Sequence, residues 1–391
     1  MPFRRIIFWT HLVCGIVAGL VIAIMSFTGV IIAFEHEVEA WFDRGVTRVE
    51  APADARQLGI DELRIRVTQA KPGFVPTSVI IPRAADEAWT FVAGREGRVY
   101  VDPFTGEVRE PRSHGAHAVM HELIDWHRWL GMEGDGQAMG KLITGVCNAA
   151  FLGLCVTGLY LWWPRAWSGR ALRPVLWFVG RYKGRARDYN WHNVLGLWSA
   201  PVLIVLVATG VVISFGWAHD LVFRIAGEEP PKFRDFRMMA VKPPGVPAPD
   251  AGAVPLPLDA IVARLVASHP YYEQIGVNFP RRSPSDADLS TVAPLDLVVF
   301  EPAPFQTAGR VQVYADPFTG DMLTKVAFGD RSPGLRARVW VRFLHTGEAF
   351  GLAGKVIAVL ATAASLVLVY TGFALSWRRF VVRKSRNAGC G

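Results

Sequence analysis

The run His11-Leu-Val-Cys-Gly-Ile-Val-Ala-Gly-Leu-Val-Ile-Ala-Ile-Met-Ser-Phe-Thr-Gly29 holds no charged side chain after its leading histidine. The apolar character continues to Phe34, so the segment exceeds the roughly 20 residues that a helix needs to cross a bilayer. Arg4 and Arg5 precede it as they would a secretory signal. Its apolar run is nevertheless too long for a signal core, and no small-x-small cleavage site follows, so it reads as an uncleaved anchor. Three more stretches qualify, placing the expected spans at 6–34, 141–163, 191–217 and 353–377. Composition agrees: of 391 residues 51% are hydrophobic and 19% charged, where soluble chains carry about a quarter charged residues. The 14 Trp suit membrane-interface belts.

A net charge of +8 could mean nucleic acid, but the basic residues flank the spans and orient them instead. Between spans two and three lie Arg165, Arg170, Arg173, Arg181, Lys183, Arg185 and Arg187 against a single acid, Asp188; after span four come Arg378, Arg379, Arg383, Lys384 and Arg386. Both termini and the middle loop are therefore expected in the cytoplasm, and the long polar segments outside, in the periplasm of a Gram-negative cell. The expected division is a first span (1–34), an outer domain with its pre-helix (35–125), a second span (126–163), a basic loop (164–190), a third span (191–217), a second outer domain (218–345), a fourth span (346–377) and a tail (378–391). An outer cluster of Arg331, Arg336, Arg338 and Arg342 runs against the charge rule. Long translocated domains weigh little in that rule, so the cluster calls for another explanation.

The chain repeats itself. At an offset of 181, His11-x3-Gly15 matches His192-x3-Gly196, Thr28-Gly29 matches Thr209-Gly210, and Phe34 matches Phe215. At an offset of 214, Tyr100-Val-Asp-Pro-Phe-Thr-Gly106 matches Tyr314-Ala-Asp-Pro-Phe-Thr-Gly320. Gly140-Lys141 then matches Gly354-Lys355, Thr157-Gly158 matches Thr371-Gly372, and Trp163 matches Trp377. The pattern predicts two parallel copies of span, outer domain, span, related by a pseudo-twofold axis along the membrane normal. That axis sets span one opposite span three and span two opposite span four. Each outer domain reads as α+β: a helix over 60–70 with strands at 78–82, 88–93 and 98–101, then a helix over 258–268 with strands near 298–300 and 310–314. Residues 242–257 form a Pro-rich linker. The Asp-Pro-Phe-Thr-Gly stretch is a structural turn, since Pro presets φ and Gly tolerates positive φ.

Ionisable residues inside spans are candidates for function. His11 lies one turn into span one and His192 opens span three, each followed at i+4 by a glycine, Gly15 or Gly196, that leaves room for a porphyrin face. Neutral imidazole is a standard axial ligand of haem iron. One such histidine would read as an interfacial cap; two at the same repeat position favour a shared iron. A second candidate pair precedes spans two and four: His127, in Trp126-His-Arg-Trp-Leu130, and His345, in Phe343-Leu-His-Thr-Gly347. At offset 214 His345 falls opposite Gly131, one helical turn from His127. His36 and His219 compete as outer ligands, at an offset of 183. His117 and His121, spaced i,i+4, could bind a metal, although a solvated polar face is the commoner reading for both of these competing sets. Arg4, Arg5, Arg185 and Arg187 lie near the inner pair. Arg128 and the outer cluster, Arg342 included, could neutralise haem propionates or attract an anionic substrate. Cys14, Cys147 and Cys155 read as inert core thiols and Cys390 sits in the tail; without C-x-x-C-H, haem would be held non-covalently. No G-x-G-x-x-G after a strand and no Walker sequence occurs, so electrons must come from a quinol or a cytoplasmic reductase.

Taken together, the two Tyr-x-Asp-Pro-Phe-Thr-Gly turns, His127-Arg-Trp-Leu, Asn190-Trp-His192-x3-Gly196, His345 with its glycine-rich follow-on and the four Thr-Gly pairs resemble the PepSY-associated transmembrane family. Its members include inner-membrane ferric-siderophore reductases. The resemblance covers nearly the whole chain and implies PepSY-like outer domains and a membrane protein with two haems b. Such a protein would move electrons from the cytoplasmic side to an iron chelate outside, as a ferric-chelate oxidoreductase, with axial ligands at positions 11, 192, 127 and 345. Reduction would release the metal, because Fe(II) binds hard oxygen ligands more weakly. Three alternatives stand beside it: a cytochrome b relay to a protein partner, a non-enzymatic sensor or regulator, and a transporter. The spans lack the acidic residues usual at ion sites, and only Pro201 is expected to break one of them.

Overall fold

The computed structural model describes residues 2–52, 55–94, 97–164, 167–233, 241–247, 253–279 and 291–382. Arg165, Arg383, Lys384, Arg386 and Cys390, with 248–252 of the linker, lie outside the described residues. In chain order come α1 (Pro2–Ile32), α2 (Glu35–Thr47), α3 (Ile60–Ala70), β1 (Ser78–Pro82), β2 (Trp89–Val92), β3 (Arg98–Val101), β4 (Val108–Arg109) and α4 (His114–Trp129). They are followed by α5 (Gly136–Trp162), α6 (Gly169–Leu176), α7 (Gly184–Ser214) and α8 (Gly216–Ile225). The remainder holds β5 (Val246–Pro247), α9 (Leu258–Ser268), β6 (Gln274–Asn278), β7 (Thr291–Val292), β8 (Leu295–Phe300), β9 (Arg310–Ala315), β10 (Met322–Val326), α10 (Pro333–Thr346) and α11 (Gly351–Trp377). Two compact units result: Met1–Glu35 with His117–Phe233 and Ala337–Gly391, and His36–Ala116 with Arg234–Arg336.

The first unit is a bundle of four helices long and apolar enough to cross a membrane. Helix α1 packs on α5 and α11, and α7 packs on the same two, which leaves α1 diagonal to α7. The outward faces are apolar: Val17, Leu20 and Leu360 are each about two-thirds or more exposed. Leaving such side chains in water forgoes roughly 1.5–3 kcal/mol apiece, so lipid is their solvent and the chain is a multi-pass membrane protein. The interior is small and polar instead, with Ser26, Thr144, Asn148, Ser199 and Ser365 buried. Ser365 Oγ donates to Ser26 Oγ at 2.7 Å, and Asn148 Nδ2 to the Val207 carbonyl at 3.0 Å. Helices in lipid associate through close approach and such bonds.

Several expected boundaries move. Residues 126–129 belong to α4, and α5 starts only at Gly136. The basic loop contains α6, and Asn190 staples that loop to α7, donating to the Pro174 and Trp177 carbonyls and accepting from Val179 N. Helix α7 runs unbroken through Pro201. The expected break is therefore absent; in a bundle the carbonyl that proline leaves free finds other donors.

In the second unit the two polar segments build one domain instead of two. Its eight-stranded sheet has the order β10-β9-β8-β6-β1-β2-β3-β4, every pairing antiparallel. The halves join where β1 meets β6, Ile80 opposite Gly276. Helix α3 buries Ile60, Leu63 and Val67, one stripe of an amphipathic helix, and α9 buries Ile261 and Leu265. These form a single core with Val79, Phe91, Ile275 and Leu297. Asp259 of α9 accepts the Ile60 N–H at the start of α3. Both Asp-Pro-Phe-Thr-Gly turns serve structure alone: Asp102 Oδ1 accepts from Phe104 N and Thr105 N, and Asp316 Oδ1 from Phe318 N and Thr319 N. Arg66 and Arg264 clamp the carbonyls of Thr105 and Thr319.

Candidate metal-binding histidine pairs

Diagonal packing of α1 and α7 sets His11 opposite His192, their ring centroids 6.4 Å apart and their planes nearly perpendicular. Each ring is oriented by a threonine on a neighbouring span. Thr157 Oγ1 donates to the Gly153 carbonyl at 2.6 Å and stands 2.9 Å from His11 Nδ1. Thr371 Oγ1 donates to the Val367 carbonyl at 2.7 Å and stands 2.9 Å from His192 Nδ1. A hydroxyl whose proton is committed to a carbonyl can only accept, so each Nδ1 carries the hydrogen. Each Nε2 keeps its lone pair, and among the described residues it has no hydrogen-bond partner.

His127 of α4 and His345 of α10 form a second pair, also 6.4 Å between centroids. Here Nδ1 meets main-chain acceptors: the Met25 carbonyl at 2.9 Å for His127 and the Leu206 carbonyl at 2.8 Å for His345. Thr28 and Thr209 stand next to them, at 3.1 and 3.3 Å. Met25 and Leu206 differ by the offset of 181, as do Thr28 and Thr209, so the two histidines occupy matching places. The register gap between them has a local cause. His127 precedes Gly140 by 13 residues and His345 precedes Gly354 by nine, and the connectors into α5 and α11 absorb the difference. In both, a carbonyl presses on the glycine of the following helix, that of Trp129 on Gly140 and that of Gly347 on Gly354, where a Cβ would collide.

Four of the five Thr-Gly pairs in the spans, those at 28, 157, 209 and 371, each receive one histidine, while Gly145 of the fifth faces Phe215. The threonine meets Nδ1, and the glycine makes room for the ring. A Cβ on Gly29 would lie 3.3 Å from His127 Cε1, on Gly158 3.3 Å from His11 Cε1, on Gly210 3.1 Å from His345 Cε1, and on Gly372 3.7 Å from His192 Cε1. In the sequence these pairs align the repeats and contribute to the family resemblance. The signal that marks them out is that they recur at the repeat offsets, 28 with 209 and 157 with 371, whereas Thr144-Gly145 does not.

The pairs suit a metal held by two imidazoles. Metal–nitrogen bonds of about 2.0–2.1 Å place ring centroids roughly 6.3 Å apart. Beside the first pair a cavity of about 750 Å³ reaches from Arg4, Arg5, Arg185 and Arg379 past Gly15 and Gly196, a volume within the range of sites for large organic ligands. Cβ atoms on Gly15 and Gly196 would have nothing nearer than 3.9 and 3.7 Å. The arginines at one end suit carboxylates. Arg379 was read only as tail charge. Arg187 instead pairs with buried Asp188 at 2.8 Å, which also holds Arg378.

The competing histidines are held differently. His36 is exposed on α2. His219 is fully buried with both nitrogens engaged: Arg338 Nε donates to Nδ1 at 3.2 Å, and Nε2 faces the Pro231 carbonyl at 3.4 Å. Burial and the Arg338 charge hold its pKa below the ordinary imidazole value. His117 and His121 meet edge to face, centroids 4.4 Å apart, on an exposed face of α4. Of the arginines, Arg128 is exposed over the Trp129 ring, beside the second pair, and Arg342 is exposed on α10.

A family model described as the PepSY-associated TM region matches residues 8–379 and so includes all four paired histidines. Comparison with curated proteins found no match.

Proposed function

The chain belongs to the PepSY-associated transmembrane family, and from that premise we propose that it is a haem-b membrane reductase of the bacterial inner membrane. It carries electrons from the cytoplasmic side to a periplasmic ferric chelate of the siderophore class and releases Fe(II). The observation that carries this reading is the geometry of the histidines: two pairs, each 6.4 Å between ring centres, with Nδ1 engaged and Nε2 without a hydrogen-bond partner among the described residues.

Loop charge supports cytoplasmic termini, and with that orientation His11/His192 is the inner pair and His127/His345 the outer one. The shared offsets and the diagonal packing of α1 and α7 support two parallel repeats. His11 and His192 would hold one haem, with Gly15 and Gly196 against its face and Arg4, Arg5, Arg185 and Arg379 toward its carboxylates. His127 and His345 would hold the other. Bound haem supplies one-electron exchange between Fe(II) and Fe(III). The protein's part is to fix the imidazole tautomers, exclude water and space the sites. From His11 to Met25, which receives His127, is about 21 Å along α1 at 1.5 Å per residue. The electron donor is a quinol or a cytoplasmic reductase.

Purified protein should show a Soret band with two haems per chain, and ferric chelates should reoxidise the dithionite-reduced form. His11→Ala with His192→Ala should halve the haem content, as should His127→Ala with His345→Ala. A preparation without haem, or haem content that neither double variant changes, would overturn the reading.

A further inference from the structure

Helix α10 carries more than one ligand of the outer pair. Arg338, Arg342 and His345 are spaced i, i+4, i+7 and therefore share one helix face. The arginines lie about 10.5 and 4.5 Å from the histidine along the axis. Arg338 is half-buried, and burial together with the adjacent Arg342 pushes its pKa down. Among the described residues no carboxylate pairs with either guanidinium. Two neighbouring cations, one of them partly desolvated, are costly without an anion between them.

The buried His219 explains how Arg338 is held. Its Nδ1 accepts from Arg338 Nε, its other nitrogen faces the Pro231 carbonyl, and Phe223 and Phe233 pack at 5.0 and 5.3 Å from the ring. A neutral acceptor on Nε orients the guanidinium without cancelling its charge, and the terminal nitrogens stay available for a forked contact with a carboxylate or similar oxyanion.

We propose that Arg338 and Arg342 form a receptor for anionic oxygen ligands, with His219 as the residue that positions Arg338, and that its occupant is the oxyanion shell of the ferric chelate. This assignment of substrate class rests on the reductase reading. The same chemistry could be met by a haem propionate, and the experiment separates the two sources.

The probe is gallium(III) citrate, an anionic and redox-inert chelate, titrated by calorimetry into the full-length protein in detergent. Its binding does not depend on electron transfer, so the receptor can fail while the reductase reading stands, or the reverse. Arg338→Gln and Arg342→Gln should each weaken binding at least tenfold and leave the Soret band and haem content unchanged. His219→Phe should weaken it several-fold, and His219→Gln, whose amide oxygen can accept from Arg338, should restore it. Equal binding by wild type and both arginine variants, or no binding to wild type, overturns the receptor. Haem loss or a shifted midpoint potential with citrate binding intact assigns the arginines to a propionate and overturns the substrate assignment.

Discussion

The two histidine pairs have the same ring separation, 6.4 Å, and hold their rings by different means. In the inner pair Nδ1 meets a side-chain hydroxyl, Thr157 or Thr371, and His192 also has the Leu368 carbonyl within reach; in the outer pair it meets a main-chain carbonyl, Met25 or Leu206, with a threonine alongside. A carbonyl inside a helix stays in place whatever its side chain becomes, whereas a hydroxyl is removed by one substitution. The inner site is thus open to tuning by mutation at His11, and the outer site is built into the backbone.

The largest effect that tests this contrast comes from the threonines. Thr157→Val leaves the His11 Nδ1–H without its acceptor and Thr371→Val leaves His192 only the Leu368 carbonyl, and groups that orient a ligating histidine are worth roughly ten- to a hundredfold in affinity. Haem titration of the protein should show that loss at the inner site. Thr28→Val with Thr209→Val should change outer-site affinity no more than a few-fold, because the carbonyls remain. Equal losses at both sites would break the comparison.

A smaller, graded effect is expected at the glycines. Gly210→Ala forces a methyl against Asn148 Nδ2 at 2.9 Å and His345 Cε1 at 3.1 Å, and Gly29→Ala and Gly158→Ala approach their rings to 3.3 Å. Overpacking of this kind costs about 1–3 kcal/mol. Gly372→Ala meets His192 only at 3.7 Å, so the gain of about 0.5–1 kcal/mol from removing a helical glycine should prevail. Thermal unfolding should rank Gly210 as most sensitive and Gly372 as neutral or stabilising.

The smallest effect separates the pairs by pH. His219 touches Arg338 on the helix that carries His345, and its folded pKa lies below the ordinary value of about 6.5. Desolvation and Arg338 lower it, while the Pro231 carbonyl and Asp220 act the other way. The unfolded chain then binds the proton more readily, so this contribution is complete above the ordinary value and declines as pH falls toward the folded one. Melting curves should fall slightly on acidification through that window, and His219→Gln should flatten the dependence. A fall of the same size in that variant would assign it to other groups.

Much of this was legible in the chain itself. The spans follow from apolar runs, and His11 with His192 from one offset shared with Gly15 and Gly196. The outer pair looked out of step because register was carried through connectors of different length, and a loop takes up such a difference without moving the helices it joins. His219 looked like a ligand because a histidine near a span end gives no hint of its partners, which here are Arg338 and a carbonyl. Pro201 looked like a break because sequence shows the lost donor and hides the packing that tolerates it. The union of the polar segments was invisible for a related reason: β1 and β6 are nearly 200 residues apart, and strand pairing leaves no local mark.

That union has a consequence for anything that cuts the chain. With β1 against β6, the sheet ends among the described residues at β4 and β10. Residues 1–163 alone would present β1 as a five-residue template of unsatisfied amides and carbonyls, the feature that drives unpaired strands to recruit others. The strand nearest in kind to fill it is β1 of a second copy. A severed half is therefore poised to dimerise with itself, and the intact chain prevents this by carrying the partner strand on the same polypeptide.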